Sequence, residues 1–319
     1  MSLLDIALRY EKESGRNDTF NSTEHAFRRS NQSQGRAGTQ GCCQGLRCEN
    51  SYHSHSQLKE SQLPGYPQDL LSNRSVVKAD FAIITPQGRV INTVPGIVDA
   101  KMTILCSPKI GAGFVQLIGT LGATAHTDYP YGAKEHEEAF IYVLDGEVEL
   151  EVDVAGEKRV LTQGGYAYSA PGKGIGFKNV NGKEGRILLY KQRYIPHPKG
   201  LMPWSVFGNI NEVAFRDYDG MANVHVKDFL PVEEAFDMNM HILSFDPGAS
   251  HNICETHVQE HGAYIYEGEG MYLLDDTWYM TKKEDFLWMG AFSVQAGYGI
   301  GRGPFSYIYS KDCNRDVEI

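Results

Sequence analysis

The 319-residue sequence lacks any apolar run that approaches the twenty or so residues of a membrane-spanning helix. It also lacks basic excess: 30 Lys and Arg stand against 40 Asp and Glu, a net charge of −10. Nucleic acid and anionic membranes both need a basic surface, so neither is an expected partner. The opening MSLLDIALRYEKESGRND has acids where a secretory signal needs a basic-then-apolar pattern, so a cytoplasmic location is expected. Long helical periods are nearly absent, and only PVEEAF (231–236) suggests a single helical turn. The six cysteines form no C-x-x-C arms. Cys42, Cys43 and Cys48, with His53 and His55 behind them, are therefore read as incidental rather than as a zinc site. Cys106, Cys254 and Cys313 read as free thiols of a reducing compartment.

What is present falls into two textures. Residues 1–62 are rich in Ser, Gln, Asn, Arg and Gly and show no sustained apolar period. Such a segment cannot bury enough apolar surface to offset its ordering entropy, so a disordered N-terminal extension is expected. It holds eight basic and seven acidic residues, which leaves the acidity to the remainder. Beyond Pro64, short apolar runs alternate with turn residues. FAIIT (81–85), KMTILC (101–106), GFVQLIGTL (113–121), AFIYVL (139–144), EVELEV (147–152) and RILLYKQRY (186–194) read as strands. Asp145-Gly146 and Ala155-Gly156 read as hairpin turns. The class is all-β, a barrel or sandwich.

The strands repeat. EEAFIYVLDGEVEL (137–150) resembles EHGAYIYEGEGMYL (260–273), and GGYAYSAPGKGIG (164–176) resembles EDFLWMGAFSVQA (284–296). The offset is 122 residues in the first stretch and 120 in the later one. Two tandem β-barrels follow from this, one over 63–195 and one over 229–319, joined by a crossover at 196–228.

The second half carries metal donors that the first half does not. In a strand, residues two apart share a face, so Glu255, His257 and His261 are expected to project together. A carboxylate and two imidazoles suit a divalent first-row metal, and Gln295 is the candidate fourth donor. An amide oxygen favours a harder ion such as Mn²⁺. Gly268 is placed to turn the next strand alongside and close the pocket. At the repeat offsets Glu255, His257 and His261 fall opposite Ala133, Glu135 and Ala139, and Gln295 opposite Ile175. An ordinary polar strand face is the competing reading of the same spacing.

The pattern Glu255-x-His257-x3-His261-x6-Gly268 resembles the first cupin motif, with the glutamate and one histidine exchanged. Asp285 to Gln295 resembles the second motif, with Gln295 where histidine is usual. The permuted set is similar to that of the bicupin (S)-ureidoglycine aminohydrolases of purine catabolism, and the likeness runs from Gly65 to Ile319. The resemblance implies two jelly-roll-like cupin barrels, the first without a metal site and the second holding metal and active site. It implies a manganese enzyme that converts (S)-ureidoglycine and water to (S)-ureidoglycolate and ammonia, downstream of allantoin and allantoate. It implies that Glu255, His257, His261 and Gln295 hold Mn²⁺. Tyr272, Tyr307 and Lys311, with Glu255 and Gln295, would contact the substrate, and Glu255 and Lys311 would act in catalysis. Taken without the family, the two tyrosines read as packing and Lys311 as a solvated strand end. A homo-oligomer is expected. A bicupin dioxygenase or isomerase, and a non-catalytic storage bicupin, remain as alternatives at this point.

Overall fold

The computed structural model describes residues 73–317; the expected disordered extension and its Cys42, Cys43 and Cys48 cluster lie outside them. Strand β1 (Val76–Val77) and β2 (Phe81–Ile84) come first. Then follow β3 (Ile97–Cys106), β4 (Phe114–Thr127), β5 (Glu137–Gly146), β6 (Leu150–Val154), β7 (Glu157–Leu161), β8 (Gly165–Ser169), β9 (Gly176–Asn179) and β10 (Gly185–Arg193). The crossover carries β11 (Val206–Asn209), β12 (Arg216–Tyr218) and β13 (Met221–Asp228). The second half has β14 (Met238–Phe245), β15 (His261–Glu267), β16 (Glu269–Leu274), β17 (Thr277–Lys282), β18 (Phe286–Met289), β19 (Gln295–Gly299) and β20 (Phe305–Asp312).

The first barrel is one sheet in the order β11-β8-β5-β10-β4-β9-β6-β7, with β3 added on β4. The second pairs an eight-stranded sheet, β1-β2-β18-β15-β20-β14-β13-β12, with a three-stranded sheet, β17-β16-β19. The sheets do not respect the boundaries expected from sequence. β2 precedes the first barrel in the chain yet pairs with β18 of the second. β11, from the crossover, pairs with β8 of the first, and β12–β13 extend the second sheet at β14. The cause is edge protection. Every residue of β8 and β18 is buried, and a bare edge would leave backbone N–H and C=O groups unpaired. A strand from a flanking segment covers each edge.

Alternation sorts the side chains into three cores. Along β5, Ala139, Ile141 and Val143 point into the first barrel, while Phe140, Tyr142 and Leu144 face the seam between barrels. Along β20, Tyr307 and Tyr309 point into the second barrel and Ile308 faces the seam. The first interior is almost wholly aliphatic, with Met102, Leu117, Leu121, Val152 and Ile187 among its members. The second interior mixes Leu243, Phe245 and Phe305 with Tyr272, Tyr307 and Tyr309.

The turns divide. Ala155 and Gly156 have φ of 53° and 91° and join β6 to β7, as a two-residue hairpin with both centres left-handed requires. Asp145-Gly146 is not a hairpin. β5 continues through Gly146, which pairs with Gly185, and β6 pairs with β7 and β9 instead of β5. Gly146, at φ 96°, redirects the chain between layers; Gly268, at φ 76°, does the same in the second barrel. A Cβ on Gly268 would lie 2.1 Å from the Pro304 carbonyl oxygen, so no other residue fits there. PVEEAF forms a turn closed by Phe236 N–H donating to the Glu233 carbonyl at 3.1 Å, and no helix.

The seam also holds charge. Arg186 of the first barrel binds Asp145 and, at 2.7 Å, Glu284 of the second. Asp312 lies at the seam with no such cation, and burial together with the Glu260 charge pushes its carboxyl up to about 6. A raised carboxyl pKa means that the folded state prefers the protonated form. The associated stability is complete below the unfolded value near 3.9 and is lost as pH rises through about 6. Asp312→Asn, which cannot ionise, is expected to be more stable than the parent by about 2 kcal/mol at pH 7.5, and no more stable below about pH 4. Urea unfolding at the two pH values checks this; a variant less stable at pH 7.5 contradicts it.

Candidate metal centre

Glu255, His257, His261 and Gln295 line one cavity inside the second barrel, and Tyr272, Tyr307 and Lys311 line the same cavity. Every site residue expected from the sequence is thus in one place. The space is tight. The empty space among these side chains is about 310 Å³.

The route to this convergence differs from the expected one. Glu255, His257 and His261 do not share a strand face, because β15 begins only at His261. Residues 255–260 are a loop, anchored where Glu255 and Gln295 exchange two backbone hydrogen bonds of 2.9 Å. That bridge sets the Glu255 and Gln295 side chains next to each other from two chain segments. His257 is held from the loop, where its backbone carbonyl accepts from the Phe292 N–H at 2.7 Å.

The histidines are oriented for lone-pair donation. His261 Nδ1 lies 2.8 Å from the Ser310 carbonyl, and His257 Nδ1 lies 3.0 Å from the Gln259 carbonyl. A carbonyl only accepts, so both Nδ1 atoms carry the proton and both Nε2 atoms are bare. Those two Nε2 atoms face each other at 3.2 Å, and the Gln295 amide nitrogen lies 2.9 Å from His257 Nε2, to which its N–H donates. Two opposed lone pairs have no proton to share. A cation between them satisfies both, and the Nδ1–H to carbonyl bonds are the support that metal-binding histidines use. Which amide atom of Gln295 faces the pair is an assignment; the oxygen inward gives a third acceptor. Among the described residues no three His, Cys, Asp or Glu side chains close on one point by themselves. The donor set therefore depends on the Gln295 amide, with Glu255 at its flank.

Burial tunes the rest. It pushes the His261 imidazole down to about 3, aided by His257, and it also lowers His257 against the pull of Glu255. Both rings are neutral at ordinary pH, as metal ligands must be. Burial raises the phenols of Tyr272 and Tyr307, which lie 3.3 Å apart, oxygen to oxygen. Both phenols stay protonated at ordinary pH. Lys311 has no carboxylate within ion-pair distance among the described residues.

Five further residues line the cavity: Leu243 and Met289 are apolar, and three are polar. Tyr218 comes from β12, inside the supposed crossover; burial and the Glu255 charge raise its phenol to about 12. Tyr309 follows Tyr307 by two, and strand parity alone was sufficient to find it. His251 gave no signal beyond its residue type.

The first barrel shows what the scaffold is without these groups. Its equivalent bridge is Tyr131–Ile175, so Glu255 matches Tyr131 and not Ala133: Tyr131 stands eight residues before Ala139, Glu255 six before His261. β5 bulges at Leu144 and β15 at Tyr266, 122 residues apart, and the residues beside them on the partner strands, Ile187 and Tyr307, are 120 apart, as the repeat requires. Ala139 stands for His261, Ile175 for Gln295, Ile187 for Tyr307 and Lys191 for Lys311. Lys191 is tied to Glu137 at 3.3 Å and lies over the Tyr131 ring. Ala139 and Ile175 offer no donor in place of His261 and Gln295, and the lysine is paired.

No family model matches the sequence. The (S)-ureidoglycine aminohydrolase of Escherichia coli K12 is 50% identical over 261 residues, covering 81% of this chain and 98% of the relative. The crystal structure of protein Ylba from E. coli superposes with a TM-score of 0.70 at 48% identity, covering 80% of this chain and 100% of that one. Bacillus subtilis oxalate decarboxylase, described with Mn(II) centres, aligns with a TM-score of 0.53 at 10% identity over 74% of this chain and 78% of its own. At that identity it shows the fold alone. Among the described residues no helix is long and apolar enough to cross a membrane.

Proposed function

The chain belongs to the (S)-ureidoglycine aminohydrolase family, and from its cavity we propose that the activity depends on manganese held by Glu255, His257, His261 and Gln295. The reaction is the conversion of (S)-ureidoglycine and water to (S)-ureidoglycolate and ammonia. The observation that carries the metal reading is the pair of bare Nε2 atoms facing each other at 3.2 Å. A divalent cation held there supplies Lewis acidity: it favours deprotonated water and stabilises developing negative charge.

The chain's own residues supply the remainder. Ureidoglycine carries an amine, a ureido nitrogen and a carboxylate on one carbon. The C–N bond to the amine breaks and a C–O bond to water forms, so one proton must leave the water and one must reach the departing nitrogen. Lys311 is the cation that orients the substrate carboxylate, in a cavity where attraction is far stronger than in water. Glu255 is both a ligand and the proton acceptor; binding to a cation weakens it as a base, so the ligand role is primary. Tyr272 and Tyr307 donate hydrogen bonds to substrate oxygens. Two oxygen donors, the Glu255 carboxylate and the Gln295 amide, beside two imidazoles suit a harder ion than the histidine-rich sites of oxygen-activating enzymes.

We place this step downstream of allantoate, in a cytoplasmic homo-oligomer. Exposed Trp278, Met280 and Tyr298 on the three-stranded sheet support self-association. The test is a coupled assay. With allantoate and an allantoate-hydrolysing enzyme that forms ureidoglycine in place, adding the protein should release a second equivalent of ammonia faster than ureidoglycine decays unaided. An unchanged second phase contradicts the proposal.

A further inference from the structure

His251 is held in the opposite tautomer from the two histidines of the metal centre. Its backbone N–H donates to the Gly297 carbonyl at 3.0 Å, and its ring Nδ1 lies 2.7 Å from the Gly297 N–H. A backbone N–H can only donate, so Nδ1 holds a lone pair and the proton of the neutral ring sits on Nε2. Burial keeps the ring neutral against the nearby Glu255 charge. The ring is fixed edge-on to Phe245, at 5.0 Å and 84°. Among the described residues Nε2–H has no hydrogen-bond partner, although His251 lines the cavity. His251 also lines an adjoining surface groove with Trp278 and Tyr298, and a fixed N–H without a protein acceptor at this wall of the barrel is open to a ligand oxygen.

Its position in the barrel says which oxygen. Phe245, against which the ring packs, pairs with Phe305 on β20. Lys311 lies six residues further along that strand, beside Asn239. The His251 and Lys311 side chains nevertheless line the same cavity, with Tyr307 between them. The cavity is thus lined by two donors of different character, the Lys311 ammonium and the neutral His251 ring. Ureidoglycine has two oxygen-bearing ends of matching character, a charged carboxylate and a neutral ureido carbonyl, with the reacting carbon between them.

We propose that His251 reads the ureido group of the substrate, donating Nε2–H to its carbonyl oxygen while Lys311 takes the carboxylate. The inference rests on the ureidoglycine reading above and adds to it the residue that distinguishes a ureido acid from other small amino or hydroxy acids. No proton is transferred; the contact is binding and orientation, and its loss falls mainly on KM.

The test uses two non-reacting ligands on the manganese-loaded enzyme. N-Carbamoylglycine keeps the carboxylate and the ureido group but has no amine to lose. Glycine keeps the carboxylate and lacks the ureido carbonyl. Binding is followed by calorimetry, so it does not depend on turnover. The parent should bind N-carbamoylglycine more tightly than glycine. In His251→Asn the amide oxygen can still accept from Gly297 N–H, but nothing remains at the Nε2 position. That variant should lose about tenfold in N-carbamoylglycine affinity and in KM, with glycine affinity unchanged. His251→Gln, whose amide reaches the Nε2 position, should recover to within about threefold of the parent. Equal affinities of the parent for the two ligands would overturn the inference, and so would equal losses for both in His251→Asn. If the asparagine variant does not fold, the parent's ligand preference and the glutamine variant decide. Absence of ammonia release by the parent would sink the ureidoglycine reading itself, a result distinct from either of these.

Discussion

Glu255→Ala is expected to remove bound manganese and to lower ammonia release by two to three orders of magnitude while leaving the barrel folded. The fold should survive because Glu255 is tied to Gln295 through its backbone N–H and carbonyl, not through its side chain. Alanine keeps both of those bonds. What is lost is a negative donor beside two neutral imidazoles and an amide, and with it most of the electrostatic reason for a dication to stay. Glu255→Gln sharpens the result, since it keeps the shape and a donor oxygen but removes the charge and the basicity. It should retain part of the metal and little of the rate. Elemental analysis, thermal unfolding and the coupled ammonia assay measure the three consequences separately. Full metal occupancy with full rate in Glu255→Ala would remove the residue from the site.

Lys311→Met is expected to raise KM between about tenfold and a hundredfold, with a smaller change in kcat. A charge-assisted hydrogen bond to a carboxylate contributes about 1.5–3 kcal/mol, which is that range in affinity. Methionine has nearly the same length and keeps the stem packed. The comparison with the first barrel gives the prediction its force. Lys191 occupies the equivalent place there, but Glu137 neutralises it and Tyr131 covers it. Lys311 has lost that carboxylate partner and faces a cavity instead. Steady-state kinetics at saturating manganese checks the split. Unchanged KM would return Lys311 to the role of a strand-end lysine, as its sequence position alone suggested.

The strands of both barrels were legible because half-buried β-structure alternates and the alternation repeats. The offsets of 122 and 120 reappear in the two equivalent β-bulges and the strands they lie against. The donors were legible by type and crowding, yet the reason first assigned to their convergence does not hold. Two histidines four residues apart meet through a loop pinned by the Glu255–Gln295 bridge, and a loop carries no period to read. The two-residue slip that matches Glu255 with Tyr131 is likewise invisible until the bridges are seen. β2 has nothing in Phe81–Ile84 to say which barrel it joins, since any apolar strand can cover a buried edge; its pairing with β18 is a tertiary decision. Tyr218 escaped notice because it lies in a segment taken for a connection. The tautomer of His251 depends on one backbone N–H from a residue 46 positions away.

The most direct test is anomalous diffraction at the manganese edge from crystals grown with excess manganese. The account predicts a single strong peak inside the second barrel, bonded to Nε2 of His257, Nε2 of His261, a Glu255 carboxylate oxygen and the Gln295 amide oxygen. No corresponding peak is expected among Tyr131, Ala139 and Ile175 of the first. A second barrel without a peak, or a peak that those four side chains do not touch, would contradict it.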